Sequence, residues 1–138
     1  MKIKLLGDTK CPERKRKNDC GWDFYLNDFV CFHKGETTTV DTGVCVEIPE
    51  GWAGLFALRS SICKTGLTLQ NPLVDNNYRG ELHLLITNNT DKDFCFYKGD
   101  RIASLYCFPY LTEDLEIVEE LSETDRGDKW NGSSNQIA

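Results

Sequence analysis

An all-β fold, a jelly-roll-like sandwich or barrel, is predicted for this chain by three observations. Short apolar segments alternate with polar residues at a period of two. Turn-forming residues punctuate them at regular intervals, and nowhere do apolar residues recur at helical spacing for three turns. Many short strands with such turns pack as two sheets or a closed barrel.

Taken in order, Lys2 to Leu6 reads as a short opening strand, and Arg14-Lys15-Arg16-Lys17 as a solvated polar loop. Cys20 to Leu26 is an aromatic segment with one acid, Asp23, which would sit poorly in a core unless paired with a cation such as Arg101. Phe29 to Phe32, Thr37 to Val40 and Val44 to Ile48 are expected strands, separated by Lys34-Gly35 and Asp41-Thr42-Gly43. After the Pro49-Glu50-Gly51 turn, Gly54 to Leu58 is another strand, closing in Arg59-Ser60-Ser61 and a short Ile62 to Gly66 turn with helical character. Asn71-Pro72 and Asn76-Asn77 should bend the chain sharply. Leu82, Leu84 and Ile86 then mark the better-buried face of the strand that follows. Phe94 to Tyr97 and Arg101 to Phe108 complete the sheets. Six of the twelve residues from Thr112 to Glu123 are acidic, with Leu115, Ile117 and Val118 interleaved, which reads as an edge strand or an arm leaving the core. The Gly-, Ser- and Asn-rich stretch after Asp125 is expected to be mobile.

At 138 residues the chain makes one domain, long enough to bury roughly two thirds of its unfolded surface. A net charge of −6 argues against a non-specific grip on nucleic acid or on an anionic membrane. Any anionic ligand must be held by a few local arginines or by a metal ion. The seven cysteines form no C-x-x-C pair, and His33 and His83 stand alone, so a zinc site has little support. Several cysteines lie inside apolar runs, as small buried hydrophobes do, which points to a reducing compartment. With no apolar leader and no run of membrane-spanning length, a soluble cytoplasmic protein is expected.

Five short segments carry residues suited to chemistry, and each has a plain alternative. Asp75 and Tyr78 stand three residues apart at the root of a hairpin, where a sheet can aim both into one cleft or merely cap a surface turn. Arg59-Ser60-Ser61 offers a cation, hydroxyls and backbone N–H groups to phosphate oxygens, or caps a strand end. Gly99-Asp100-Arg101 is an equally ambiguous turn. Gly21-x-Asp23 is the fourth segment, and Arg126-Gly127 with Gly132-Ser133-Ser134 is either a closing loop or a free tail. Asn88-Asn89-Thr90 and Asn131-Gly132-Ser133 match the glycosylation pattern, which a cytoplasmic setting discounts.

In their order and spacing, Gly21-x-Asp23, Arg59-Ser60-Ser61, Asp75-x-x-Tyr78-Arg79-Gly80, Gly99-Asp100-Arg101-Ile102-Ala103 and the Arg126 to Ser134 segment resemble the five motifs of the homotrimeric dUTPases. The resemblance runs from about Gly21 to Ser134. It implies a jelly-roll barrel over residues 1–123, including the acidic arm, and a lid segment over 124–138. It implies a homotrimer with the arm exchanged onto a neighbouring subunit and three active sites between subunits. The reaction implied is dUTP plus water giving dUMP and pyrophosphate, which limits uracil incorporation into DNA and supplies dUMP for thymidylate synthesis. Mg²⁺ would be chelated by the triphosphate rather than by the protein.

In that scheme Asp75 orients and deprotonates the attacking water, with Asp23 and Arg59 as the other catalytic residues. Asp23 would act on the metal's waters or hold Arg101. Tyr78 packs under the deoxyribose, and the backbone around Leu69, Asn71, Leu73 and Val74 reads the uracil edge. Ser60, Ser61 and Arg101 face the phosphates, Arg126 the γ-phosphate, and Gly132 and Ser133 belong to the closing tail. Ser104 stands where the family usually has Gln, and Ser61 where Gly is frequent. Asn131 replaces the usual Phe, so Trp130, one residue earlier, is the expected stacking ring. The rivals are a nucleotide-binding regulator of the same fold and dCTP deaminase, which usually carries a glutamate near where Leu84 and Leu85 lie.

Overall fold

The computed structural model describes residues 1–130, so Gly132 and Ser133 lie outside the described residues. Eleven strands and one helical turn follow the predicted order. They are β1 (Lys2–Leu5), β2 (Trp22–Tyr25), β3 (Val30–Phe32), β4 (Thr37–Asp41), β5 (Val44–Glu47), β6 (Trp52–Leu58), α1 (Ser60–Cys63), β7 (Leu67–Leu69), β8 (Leu73–Val74), β9 (His83–Asn88), β10 (Phe94–Phe96) and β11 (Arg101–Pro109). Every ladder is antiparallel. One sheet runs β2-β11-β6-β8 and a second β4-β9-β7, with the ribbons β1-β5 and β3-β10 completing the walls.

Alternation explains the strands. In β6, Gly54, Phe56 and Leu58 point inward, and in β9, Leu84, Ile86 and Asn88 do the same. Gly54 leaves the room that β8 needs, because a Cβ there would stand 3.1 Å from Val74 Cβ and from Leu105 Cδ1. β11 departs from alternation: Ile102 through Leu105 are buried consecutively, so both faces of the strand are covered there while its two edges are bonded to β2 and β6. Phe24 and Phe56 meet edge to face, their centroids 5.0 Å apart, inside a core that includes Phe32, Ile62 and Val74.

Among the described residues three polar ones are buried, Thr42, Asn88 and Ser104, and Asn88 is the deepest. Asn88 is fully buried; its amide donates to the carbonyls of Phe32 and Lys92, both at 2.7 Å. Its carbonyl oxygen accepts from the Thr90 N–H at 3.0 Å and the Thr90 hydroxyl at 2.7 Å. Burial therefore rules out Asn88 as a glycan acceptor in the folded chain.

Thr112 to Glu123, read as an edge strand or an arm, forms no strand among the described residues, and two further expectations are corrected. The last backbone tie to the barrel is the Tyr110 N–H to Gly51, and beyond it Leu115 and Ile117 are fully exposed, with no sheet edge in reach. The Asn-Pro bend hides two short strands, β7 and β8, which contact different sheets. Cys31 and Cys95 are not separate buried hydrophobes but a disulfide linking β3 to β10, while the other five cysteines are free. Among the described residues no helix is long and apolar enough to cross a membrane.

The loop before β2 is tied to it by polar contacts. Arg14 stacks on Trp22, Lys10 lies over Tyr25, and the Tyr25 hydroxyl donates to the Glu13 carboxylate. Burial, reinforced by Glu13, pushes the Tyr25 phenol up to about 12. A folded-state value above the ordinary one means that this contribution is fully present below about pH 10 and is lost as pH rises towards 12. Alkaline titration should therefore show one of the five tyrosines ionising late, and Tyr25→Phe should abolish that late step. Five tyrosines titrating together near pH 10 would refute the buried arrangement.

Candidate functional site

The predicted site residues fall into two groups at opposite ends of β6. The first surrounds the bend between β8 and β9. Asn71 clamps its root: the side-chain amide donates to the His83 carbonyl at 2.8 Å, and the side-chain oxygen accepts the Leu85 N–H at 2.9 Å. Asn76 fixes the tip by donating to the carbonyls of Ile48, Pro49 and Trp52 at 3.1, 2.8 and 2.8 Å. The Tyr78 N–H closes the turn onto the Asp75 carbonyl at 3.2 Å. The Tyr78 hydroxyl donates to the Glu81 carbonyl at 2.7 Å. The phenol lies over Gly80, where a Cβ would stand 2.6 Å from its oxygen, so a side chain there would displace the ring.

Between these side chains opens a cavity of about 230 Å³ walled by Phe56, Asn71, Val74, Asp75, Tyr78 and Leu82. The Asp75 carboxylate is exposed and has no hydrogen-bond or ion-pair partner among the described residues. A fixed backbone presenting a free carboxylate beside an aromatic wall can bind a polar ligand and accept a proton. Leu73 is largely exposed beside it, whereas Leu69 pairs with Ile86 in the other sheet.

The second group is electrostatic. Arg101 donates from Nη1 to Asp23 Oδ2 at 3.0 Å, an ion pair whose side chains are only 21% and 18% exposed. Ser104 Oγ donates to the other oxygen, Asp23 Oδ1, at 2.6 Å. Ser104 is thus a partner of Asp23, a role that its shortness compared with Gln does not reveal in the sequence. The ladder explains it, since Ser104 and Asp23 face each other across β2 and β11. Arg59 stands next to this pair, its N–H bonded to the Ile102 carbonyl at 3.1 Å, and Ser60 and Ser61 open α1 with exposed side chains. Arg126 donates to the Lys129 and Trp130 carbonyls in its own exposed turn, and Trp130 is 86% exposed.

One chain does not bring the two groups together. Val74 faces Gly54 across the β6–β8 ladder, so Asp75 lies level with Ala53, six residues from Arg59. At about 3.3 Å per residue that is roughly 20 Å along the strand. A third polar group, Asp41, Glu81 and His83, is assembled that no reading of the sequence found. Its only signal was the i, i+2 spacing of Glu81 and His83.

An antiparallel β-barrel with a carboxylate and phenol at one strand end, and arginines and hydroxyls at the other, carries the chemistry that suits a phosphorylated, ring-bearing ligand. Comparisons with known proteins narrow the class. The family model for dUTPase matches residues 8–135. A deoxyuridine 5'-triphosphate nucleotidohydrolase of Clostridium tetani is 33% identical over 140 residues, covering 99% of this chain and 97% of the relative. Another, from Syntrophotalea carbinolica, is 38% identical over 134 residues, covering 93% and 91%. A dUTPase mutant of Staphylococcus bacteriophage 80alpha solved with dUpNHpp superposes with a TM-score of 0.90 at 31% identity, covering 96% of each chain. A dUTPase mutant from phage phi11 of S. aureus, solved for the coordination of a structural Mg(II) ion, superposes at 0.79 with 28% identity, over 86% of this chain and 96% of that one. The chain belongs to the dUTPase family.

Proposed function

We propose that the chain hydrolyses dUTP to dUMP and pyrophosphate at sites composed from more than one copy of itself. The observation that carries this reading is the separation of the two half-sites along β6: the acid half of one copy has to meet the phosphate half of another. A homotrimer with the acidic arm of residues 1–123 exchanged onto a neighbour satisfies that need. It also covers the exposed Leu115 and Ile117. Residues 124–138 act as the lid that closes over bound nucleotide.

Asp75 holds a water in line with the α-phosphorus and takes its proton as the new P–O bond forms and the bond to the β-phosphate oxygen breaks. Pyrophosphate leaves. The Tyr78 ring packs beneath the deoxyribose, leaving no room for a 2′-hydroxyl. The backbone at Leu69, Asn71, Leu73 and Val74 reads the uracil edge. Arg59, Ser60, Ser61 and Arg101 hold the α- and β-phosphates, Arg126 the γ-phosphate, and Trp130 stacks on the base. Such reactions are driven chiefly by charge stabilisation rather than by covalent chemistry.

Mg²⁺ on the triphosphate would neutralise charge on the phosphate oxygens. Asp23 fits a role towards it through water, because both its oxygens already accept one hydrogen bond and keep lone pairs free. By holding Arg101, the same carboxylate also aims that guanidinium.

The test is pyrophosphate release from dUTP, dCTP, dTTP and UTP with Mg²⁺, combined with sedimentation. The expected result is release from dUTP alone by a species of about three times 15.7 kDa. Tight dUTP binding without turnover would make the chain a regulator, and ammonia from dCTP a deaminase. Turnover by a stable monomer would remove the shared site.

A further inference from the structure

We propose that Asp41, Glu81 and His83 form a binding site for a borderline divalent transition-metal ion of the Zn²⁺ class, beside the Asp75–Tyr78 cavity that Glu81 and His83 also line. The donors converge because of the sheet. Asp41 and His83 face each other in the β4–β9 ladder. Bonds from the Thr42 N–H to the Leu82 carbonyl at 3.1 Å and from the Leu82 N–H to the Val44 carbonyl at 2.8 Å continue the pairing past the strand end. Glu81, two residues before His83, therefore lies on the same face. One donor atom from each side chain lies within 4.8 Å of the others.

Charge and chemistry narrow the ligand. The two carboxylates have no lysine or arginine ion-pair partner among the described residues; Asp41 Oδ1 lies 2.8 Å from the His83 Nδ1 ring nitrogen. The adjoining cleft, about 440 Å³, adds Asp8 and Asp28 against a single lysine, Lys98. An excess of negative charge at a half-exposed cluster attracts a cation. An imidazole nitrogen with two carboxylate oxygens suits Zn²⁺ rather than Mg²⁺, and three protein donors leave one tetrahedral position to water. Bonds of about 2.0–2.2 Å require the donors to draw closer together than they now stand. Glu81 is already aimed, since its Oε2 accepts the Gly43 N–H at 2.9 Å.

Such an ion would cross-link β4 to the root of the hairpin. Asn71 grips the His83 carbonyl, and Tyr78 donates to the Glu81 carbonyl. The site would thus brace the backbone that carries Asp75 without taking part in the reaction.

The experiment is calorimetric titration of the chelator-stripped full chain with Zn²⁺, alongside His83→Gln and Asp41→Asn, with thermal unfolding of each with and without Zn²⁺. The wild type should bind one equivalent per chain and gain thermal stability. Each variant should lose at least tenfold in affinity and gain no stability. Glu81→Gln keeps an oxygen for Gly43 and serves as a third variant if either of the others unfolds. An unchanged titration in the variants would place the ion on the free thiols, of which Cys11, Cys20 and Cys63 are exposed, and overturn the proposal. Absence of saturable binding by the wild type would overturn it as well.

Discussion

Asp75→Asn is expected to lower dUTP turnover by about 10²–10⁴-fold while nucleotide binding and assembly persist. Asparagine matches the shape of aspartate and can still orient a water, but it cannot take a proton at neutral pH. The fold should not suffer, because the carboxylate is exposed and has no partner among the described residues. The turn that presents it rests on backbone and Asn76 contacts that the substitution leaves alone. Single-turnover rates, paired with binding of a non-hydrolysable dUTP analogue, separate chemistry from affinity. Retained turnover would take the base away from Asp75. Lost binding would make that carboxylate a ligand-positioning group instead.

The largest effect on stability is expected at Asn88. Asn88→Ala removes four side-chain hydrogen bonds at once and leaves the Phe32 carbonyl without its amide donor inside the core. A buried polar group left unpaired costs about 1–3 kcal/mol, and the cavity adds to it, so a loss of roughly 3 kcal/mol or more follows. Denaturant unfolding of the variant should show a clearly lower midpoint at an unchanged slope. A midpoint within error of the wild type would mean that water or a shifted loop replaces the amide. The exposed neighbour Asn89 makes a suitable control, since Asn89→Ala touches none of these bonds.

How much of this was legible beforehand depended on the range of the interaction. β6 and β9 were visible because each is long enough for its period to repeat, β11 because of its long apolar run, and the hairpin residues because Asn, Pro and Gly mark bends locally. β7 and β8, of three and two residues, are too short to have a period. The arm could be read as a strand because Leu115 and Ile117 alternate with acids, although it pairs with no strand among the described residues. Pairings across the sequence left no trace: Cys31 with Cys95 across 64 residues, and His83 with Asp41 across 42. The Asp23–Arg101 pair was anticipated from chemistry alone, because a carboxylate among aromatics demands a cation. The bond from Ser104 to Asp23 depends on register, which the sequence alone does not display. Trp130 is described only as an exposed ring, and Gly132 and Ser133 fall beyond the described residues.

The length of β6 between Ala53 and Arg59 has a consequence for how the chain behaves in a cell. A lone, perfectly folded copy holds both halves of the machinery, yet too far apart to cooperate. On the proposed shared-site reading, catalysis becomes a collective property, switched on by association, and a newly made copy leaves its nucleotide pool alone until it finds its companions.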